Sequence, residues 1–242
     1  MPETIDDLSA VQIPATRRPA RSPAVVAQFP CEHLVIGCGV AIFHVASARV
    51  VLCYHSRDHY WFLPKGRRDV GEETTRAAER EGFEESGYRN RVLPLPLPHR
   101  QPSPAHAASP ALSPFVVEPL WTQLLPVSQR TQYLLFWYAA ETLPPDVEAG
   151  MPASASPYAA PPPFPQEGLS LRERVAGEPK GHEPRRWEGT GVDAEEALYE
   201  SALVPVEEAV RRLGVGSTSG DVVRRGWEGV LRRLEVEKVM EE

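Results

Sequence analysis

"GRRDVGEETTRAAEREGFEESGY", residues Gly66 to Tyr88, crowds Glu81, Glu84 and Glu85 into the end of one short helical run. Composition predicts a helix from about Thr74 to Ser86, with Gly87 where a left-handed C-terminal cap is expected. Residues three and four apart share a helix face, so the three carboxylates point the same way. Local physics opposes this. Like charges at these spacings cost roughly 0.2–0.5 kcal/mol per pair. Negative charge in the last turn opposes the helix dipole by about 0.3–1 kcal/mol each. Gly82 adds about 1 kcal/mol relative to alanine. A sum of roughly 2–3 kcal/mol is large against a total stability of roughly 5–15 kcal/mol.

A bound divalent cation would reverse the two charge terms. Carboxylate surroundings with no neighbouring His or Cys suit Mg²⁺ or Mn²⁺ rather than zinc. The same spacing also describes an ordinary solvated face, with Arg76 reaching Glu79 and Arg80 reaching Glu84. Spacing alone leaves both readings open.

Upstream, "HLVIGCGVAIFHV" (33–45) and "RVVLCYHS" (49–56) read as strands, and "HYWFLPKG" as a third that ends at a proline. Downstream, "FVVEPLWTQLL" and "TQYLLFWYAAE" flank "PVSQR" as a hairpin. "YESALVP" reads as a short strand, "VEEAVRRL" as an amphipathic helix, and "GDVVRRGWEGVLRRLEVE" as a longer one. Three segments break this pattern. Residues 1–28 are polar and expected to be disordered, leaving 29–242 as the folded domain. Residues 94–114 and 144–196 are proline-rich insertions, the second expected to be either disordered or a lid. "PLPLP" at 94–98 has the composition of a Pro-rich ligand for an SH3-type partner, although a surface loop is the simpler reading.

The fold class is α/β (α+β), mixed strands with helices packed outside them. A net charge of −7 argues against non-specific binding to nucleic acid or anionic membranes, but not against a small anion held by local lysines and arginines. Cys31, Cys38 and Cys53 show no C-x-x-C spacing and are expected to be free thiols in a reducing compartment. No apolar leader and no run of 18 apolar residues appears, so a cytoplasmic or nuclear protein without membrane partners is expected.

The whole string decides between metal site and solvated face. Gly66, Glu72, Arg80, Glu81, Glu84, Glu85 and Gly87 resemble the Nudix box, G-x5-E-x7-R-E-U-x-E-E-x-G-U with U bulky and apolar. Tyr88 suits the final U, while Gly82 departs from the first and puts helix packing there in question. The resemblance implies a mixed sheet between helices, with the box as a loop–helix–loop. It also implies Mg²⁺- or Mn²⁺-dependent hydrolysis of a diphosphate linkage in a nucleoside diphosphate joined to another moiety.

By the same resemblance Glu81, Glu85 and Glu84 are metal ligands, joined by the backbone at Gly66, with Glu72 bracing the loop or assisting. Glu84, Glu81 and Arg80 are the catalytic candidates, Arg80 by orienting its glutamates. The general base is open, and Glu118, Glu141, Glu183 and Glu188 stand as candidates outside the box. Lys65, Arg67 and Arg68 are read as substrate-phosphate contacts or as solvated charges. The lead-in "PKG" resembles family members acting on diadenosine or diphosphoinositol polyphosphates, so the expected partner is a nucleotide or inositol polyphosphate. Tyr60, Trp61, Trp121, Tyr133, Trp137 and Tyr138 are candidate stacking surfaces, or simply core. The alternative is a catalytically silent Nudix-fold module that binds ligands or partners through its insertions.

Overall fold

The computed structural model describes residues 5–11, 13, 24–102, 114–165 and 168–241. Strands β1 (Leu34–His44), β2 (Arg49–His55), β3 (Tyr60–Phe62), β4 (Lys65–Arg67), β5 (Asn90–Val92), β6 (Trp121–Pro126), β7 (Gln132–Thr142) and β8 (Tyr199–Pro205) form one sheet. Its main order is β3-β2-β1-β7-β5, with β4 on β1, β6 on β7 and β8 on β2. β1 runs parallel to β7 and antiparallel to β2 and β4, so the sheet is mixed as expected. The β6–β7 hairpin closes where "PVSQR" predicts it, with the Val127 N–H donating to the Thr131 carbonyl at 2.8 Å.

Strand alternation divides the core into two layers. Cys38, Val40 and Ile42 of β1 face helix α1 (Thr74–Ser86), packing with Ala77, Ala78, Tyr138 and Ala140. Ala41 and Phe43 face the other way, toward α4 (Val206–Leu213) and α5 (Thr218–Glu241). The helical spacing read in α5 is visible there: Val222, Val223, Trp227, Val230 and Leu234 are all buried. The free thiols of Cys38 and Cys53 are buried and that of Cys31 is exposed. No helix among the described residues is long and apolar enough to cross a membrane.

The proline-rich segments differ from their sequence reading. In "PLPLP", Pro94 and Leu95 are buried, and Leu95 exchanges two 2.9 Å backbone hydrogen bonds with Val116. Two of that motif's five residues are therefore core rather than surface loop, because Leu95 covers α5 at Gly229. Residues 103–113 of the first insertion lie outside the described residues.

Among its described residues, the second insertion is packed rather than loose. It contains α2 (Pro145–Ala149) and α3 (Leu171–Ala176), and contributes Phe164, Leu171 and Val175 to the core. Ser170 and Glu173 form a capping box at the start of α3, an N-terminal signal passed over in the sequence. Most of the expected disordered segment lies outside the described residues, but Asp6–Ala10 forms a 3₁₀ turn that buries Leu8.

Candidate metal centre

Two backbone contacts bring the site together. β4 pairs with β1 so that Gly66 lies opposite Cys38, and α1 packs against both strands. Gly66 then sits so close to the Glu81 carboxylate that a Cβ there would overlap it. The adjacent Lys65 N–H donates to Glu85 Oε2 at 2.7 Å. The C-terminal carbonyls of α1 are capped from afar: Thr190 Oγ1 donates to the Glu84 carbonyl at 2.8 Å, and Ser201 Oγ donates to that of Ser86 at 2.5 Å. Gly87 takes the left-handed cap conformation at φ 75°.

Arg80 organises the acids. Its Nε and Nη2 grip both oxygens of Glu72 at 3.0 and 2.9 Å, while Nη1 reaches Glu81 at 2.9 Å and Glu84 at 2.7 Å. Nη2 also donates to the Arg67 carbonyl at 2.9 Å, tying the loop to the helix. Glu72 accepts from the Asp69 N–H as well. Burial pushes the Glu72 carboxyl upward, but the Arg80 and Asp69 hydrogen bonds prevail and hold it below its usual range. The Arg76–Glu79 pair is also present at 2.8 Å.

Glu81 and Glu85 are different. Burial pushes the Glu81 carboxyl up to about 7 and that of Glu85 up to about 8, against the lowering effect of Arg80 and Lys65 respectively. Burial also raises Glu84, which Arg80 partly offsets. These acids lack sufficient positive charge of their own.

Among the described residues, Glu81, Glu85 and Glu196 bring one carboxylate oxygen each within 4.8 Å of one another. An all-oxygen set of buried, under-neutralised carboxylates fits Mg²⁺ or Mn²⁺. Glu84 is absent from this triplet and remains in the grip of Arg80.

Residues 36–155 match the NUDIX domain family. The chain carries a Nudix domain. That domain retains every box carboxylate, which supports an enzyme of the pyrophosphohydrolase class. Similar solved structures include a NUDIX hydrolase from Nitrosomonas europaea, at 12% identity over 82% of this chain and 90% of that one, TM-score 0.40. A C. elegans Ap4A hydrolase matches at 14% identity over 82% and 98%, TM-score 0.40. A NUDIX-family hydrolase from Clostridium perfringens matches at 15% identity over 84% and 97%, TM-score 0.37.

The sequence reading missed Glu196, which reaches the Nudix box from a 3₁₀ turn at the end of the second insertion. Nothing in "AEEALYE" marks it. The outside carboxylates it did single out are placed elsewhere. Glu141 is fully buried between Arg91 and Arg174, at 2.8 and 2.6 Å. Glu183 is exposed and paired with Arg49 at 2.8 Å, and Glu188 is exposed. Glu118 is half-buried just before β6.

The basic cluster divides as well. Lys65 and Arg67 are exposed, whereas half-buried Arg68 donates to the Glu72 carbonyl at 2.8 Å and so supports the loop. Of the aromatic candidates, Trp137 and Tyr138 are core. Tyr60 is 47% exposed and joins Phe62, Tyr199 and His55 in a cluster with ring centroids 4.9–5.6 Å apart. Burial raises the phenol of Tyr199, and the Glu85 carboxylate raises it further, so the cluster borders the acids.

Proposed function

We propose that this Nudix enzyme hydrolyses the diphosphate linkage of a nucleoside diphosphate joined to a second moiety, with dinucleoside polyphosphates as its substrate class. The observation that carries this reading is the aromatic cluster of Tyr60, Phe62 and Tyr199 beside the carboxylate triplet. A flat aromatic surface near a phosphate-binding site suits a stacked base. An inositol pyrophosphate would instead call for a broad basic patch, and only Lys65 and Arg67 of the three local cations are exposed.

Glu81, Glu85 and Glu196 are the proposed ligands, with the Gly66 backbone alongside. A divalent ion bound there neutralises phosphate charge and acidifies a coordinated water. Arg80 holds Glu72, Glu81 and Glu84 in register without being a substrate contact. Glu84, outside the triplet and half-buried, is the proposed proton acceptor. Lys65 and Arg67 meet the remaining phosphates from the exposed edge of β4.

The test is a hydrolysis panel with Mg²⁺ or Mn²⁺: dinucleoside polyphosphates, nucleotide sugars, capped RNA, oxidised nucleotides and inositol pyrophosphates. Dinucleoside polyphosphates are expected to give the highest kcat/KM. Tyr60→Ala is expected to raise KM for them while sparing kcat. Glu84→Gln is expected to lose at least about 10²-fold in kcat while binding Mn²⁺ normally, the scale on which proton-transfer groups act. Full activity in the Glu84→Gln/Glu85→Gln double variant would end the proposal.

A further inference from the structure

A second constellation lies at the far end of β1. His44, the last residue of that strand, is buried and uses both ring nitrogens. Nδ1 meets Ser47 Oγ at 2.5 Å, and Nε2 meets Glu178 Oε1. Glu178 is held in turn by Arg174, and the hydrogen bond from His44 helps to keep its carboxyl below the usual range although burial opposes this. An ionised carboxylate can only accept, so the Nε2 proton belongs to the Glu178 contact and Nδ1 is left as the acceptor of the Ser47 hydroxyl. Arg49 Nε donates to the same Ser47 oxygen at 2.7 Å, while its Nη2 lies 3.4 Å from His44 Nδ1 and donates to Glu183.

His44, Ser47, Arg49 and Glu178 line a cavity of about 510 Å³. Leu8, Ala46 and Val175 give it apolar wall, and Lys180 stands exposed at its edge. His44 lies six residues along β1 from Cys38, the partner of Gly66, which is about 20 Å at roughly 3.3 Å per residue. The cavity is thus separate from the carboxylate triplet. The His44–Glu178–Arg174 chain by itself explains how a buried imidazole is satisfied. It does not explain why the chain ends on a half-buried hydroxyl at a cavity wall with a guanidinium against it.

We propose that Ser47, His44 and Glu178 form a second active site, a nucleophile–base–orienter triad acting on small carboxylic esters with short apolar acyl groups. Ser47 Oγ bonds to the ester carbonyl carbon, its proton passes to His44 Nδ1, and the carbonyl electron pair moves onto oxygen. Arg49 lies beside the oxyanion so formed. The pair returns as the bond to the alkoxide breaks, and the alkoxide leaves with the proton from Nδ1. Water then attacks the acyl-Ser47 ester with its proton passing to Nδ1, Ser47 recovers that proton, and a carboxylic acid is released. Glu178 keeps the imidazole in the required tautomer throughout.

The test treats the full chain with a small alkyl fluorophosphonate and maps the adduct by mass spectrometry. One adduct on Ser47 is expected, formed at least about tenfold more slowly in His44→Gln and at an unchanged rate in Glu84→Gln/Glu85→Gln. Ser47→Ala, which removes one half-buried oxygen, is expected to abolish both the adduct and the hydrolysis of p-nitrophenyl acetate. If His44→Gln fails to fold, the wild-type map and Ser47→Ala decide the matter. No adduct on Ser47, labelling spread over many serines, an unchanged rate in folded His44→Gln, or full ester hydrolysis in Ser47→Ala would each overturn the proposal.

Discussion

The Glu81 carboxylate occupies the space where a side chain at position 66 would begin. Gly66 has no unusual φ, so alanine would suit the backbone there; it is the acid that requires the glycine. Gly66→Ala is therefore expected to keep the fold while swinging Glu81 aside. Mn²⁺ affinity should fall about 10–100-fold, the scale seen when ligand orientation is disturbed. Titration calorimetry and a thermal melt, run together, separate this outcome from unfolding.

Gly82 carries an opposite lesson. By helix propensity alone, Gly82→Ala should stabilise α1 by about 1 kcal/mol. A Cβ there would lie 2.7 Å from Asn90 Nδ2 and 2.8 Å from Val40 Cγ1. Asn90 cannot yield cheaply, since its Nδ2 donates to the Glu79 and Tyr88 carbonyls. The substitution is expected to destabilise by about 1–3 kcal/mol, the usual range for overpacking, as read from denaturant midpoints. Gly82→Leu, which restores the bulky apolar residue of the Nudix box, should be worse.

Glu141 and Glu196 should separate stability from metal binding. Removing Glu141 leaves Arg91 and Arg174 buried without their shared anion, so Glu141→Ala is expected to cost about 3–5 kcal/mol. Glu196 is half-buried on a short turn, and Glu196→Gln should change the melting temperature little. Its Mn²⁺ affinity should nevertheless drop about tenfold, on the scale of a disturbed coordination shell. Equal effects of the two substitutions on both measurements would contradict these assignments.

The metal-free protein should lose stability as pH rises. Glu81 and Glu85 have folded values of about 7 and 8, above the ordinary carboxylate value of 4.5. Between 4.5 and 8 the native state holds more protons than the unfolded state. The slope of unfolding free energy against pH is therefore negative across that window. Melting temperatures in a chelator should fall from pH 5 to pH 8.5, and Glu85→Gln should flatten the decline. Added Mn²⁺ competes with these protons, so its affinity and its stabilising effect should both grow with pH. A flat profile in the chelator would refute the uncompensated-acid picture.

Local pattern along the chain accounts for the framework. β1, β2, β7, β8, α1, α4 and α5 follow from periodicity, turn residues and caps, because each buries a face set by its own spacing. The seven spaced positions of the Nudix box likewise include Arg80 and the three acids it bridges, Glu72, Glu81 and Glu84. Local pattern did not reveal what approaches from afar. Glu196 reaches Glu81 and Glu85 from over a hundred residues downstream, and Gly82 is required by Val40 and Asn90 rather than by its helix. Buried Leu95 and the Arg-bound Glu141 show the same limit, since burial and ion pairing depend on which elements the topology sets against each other. Spacing along the chain governs which side chains share a face, and only tertiary packing decides what that face meets.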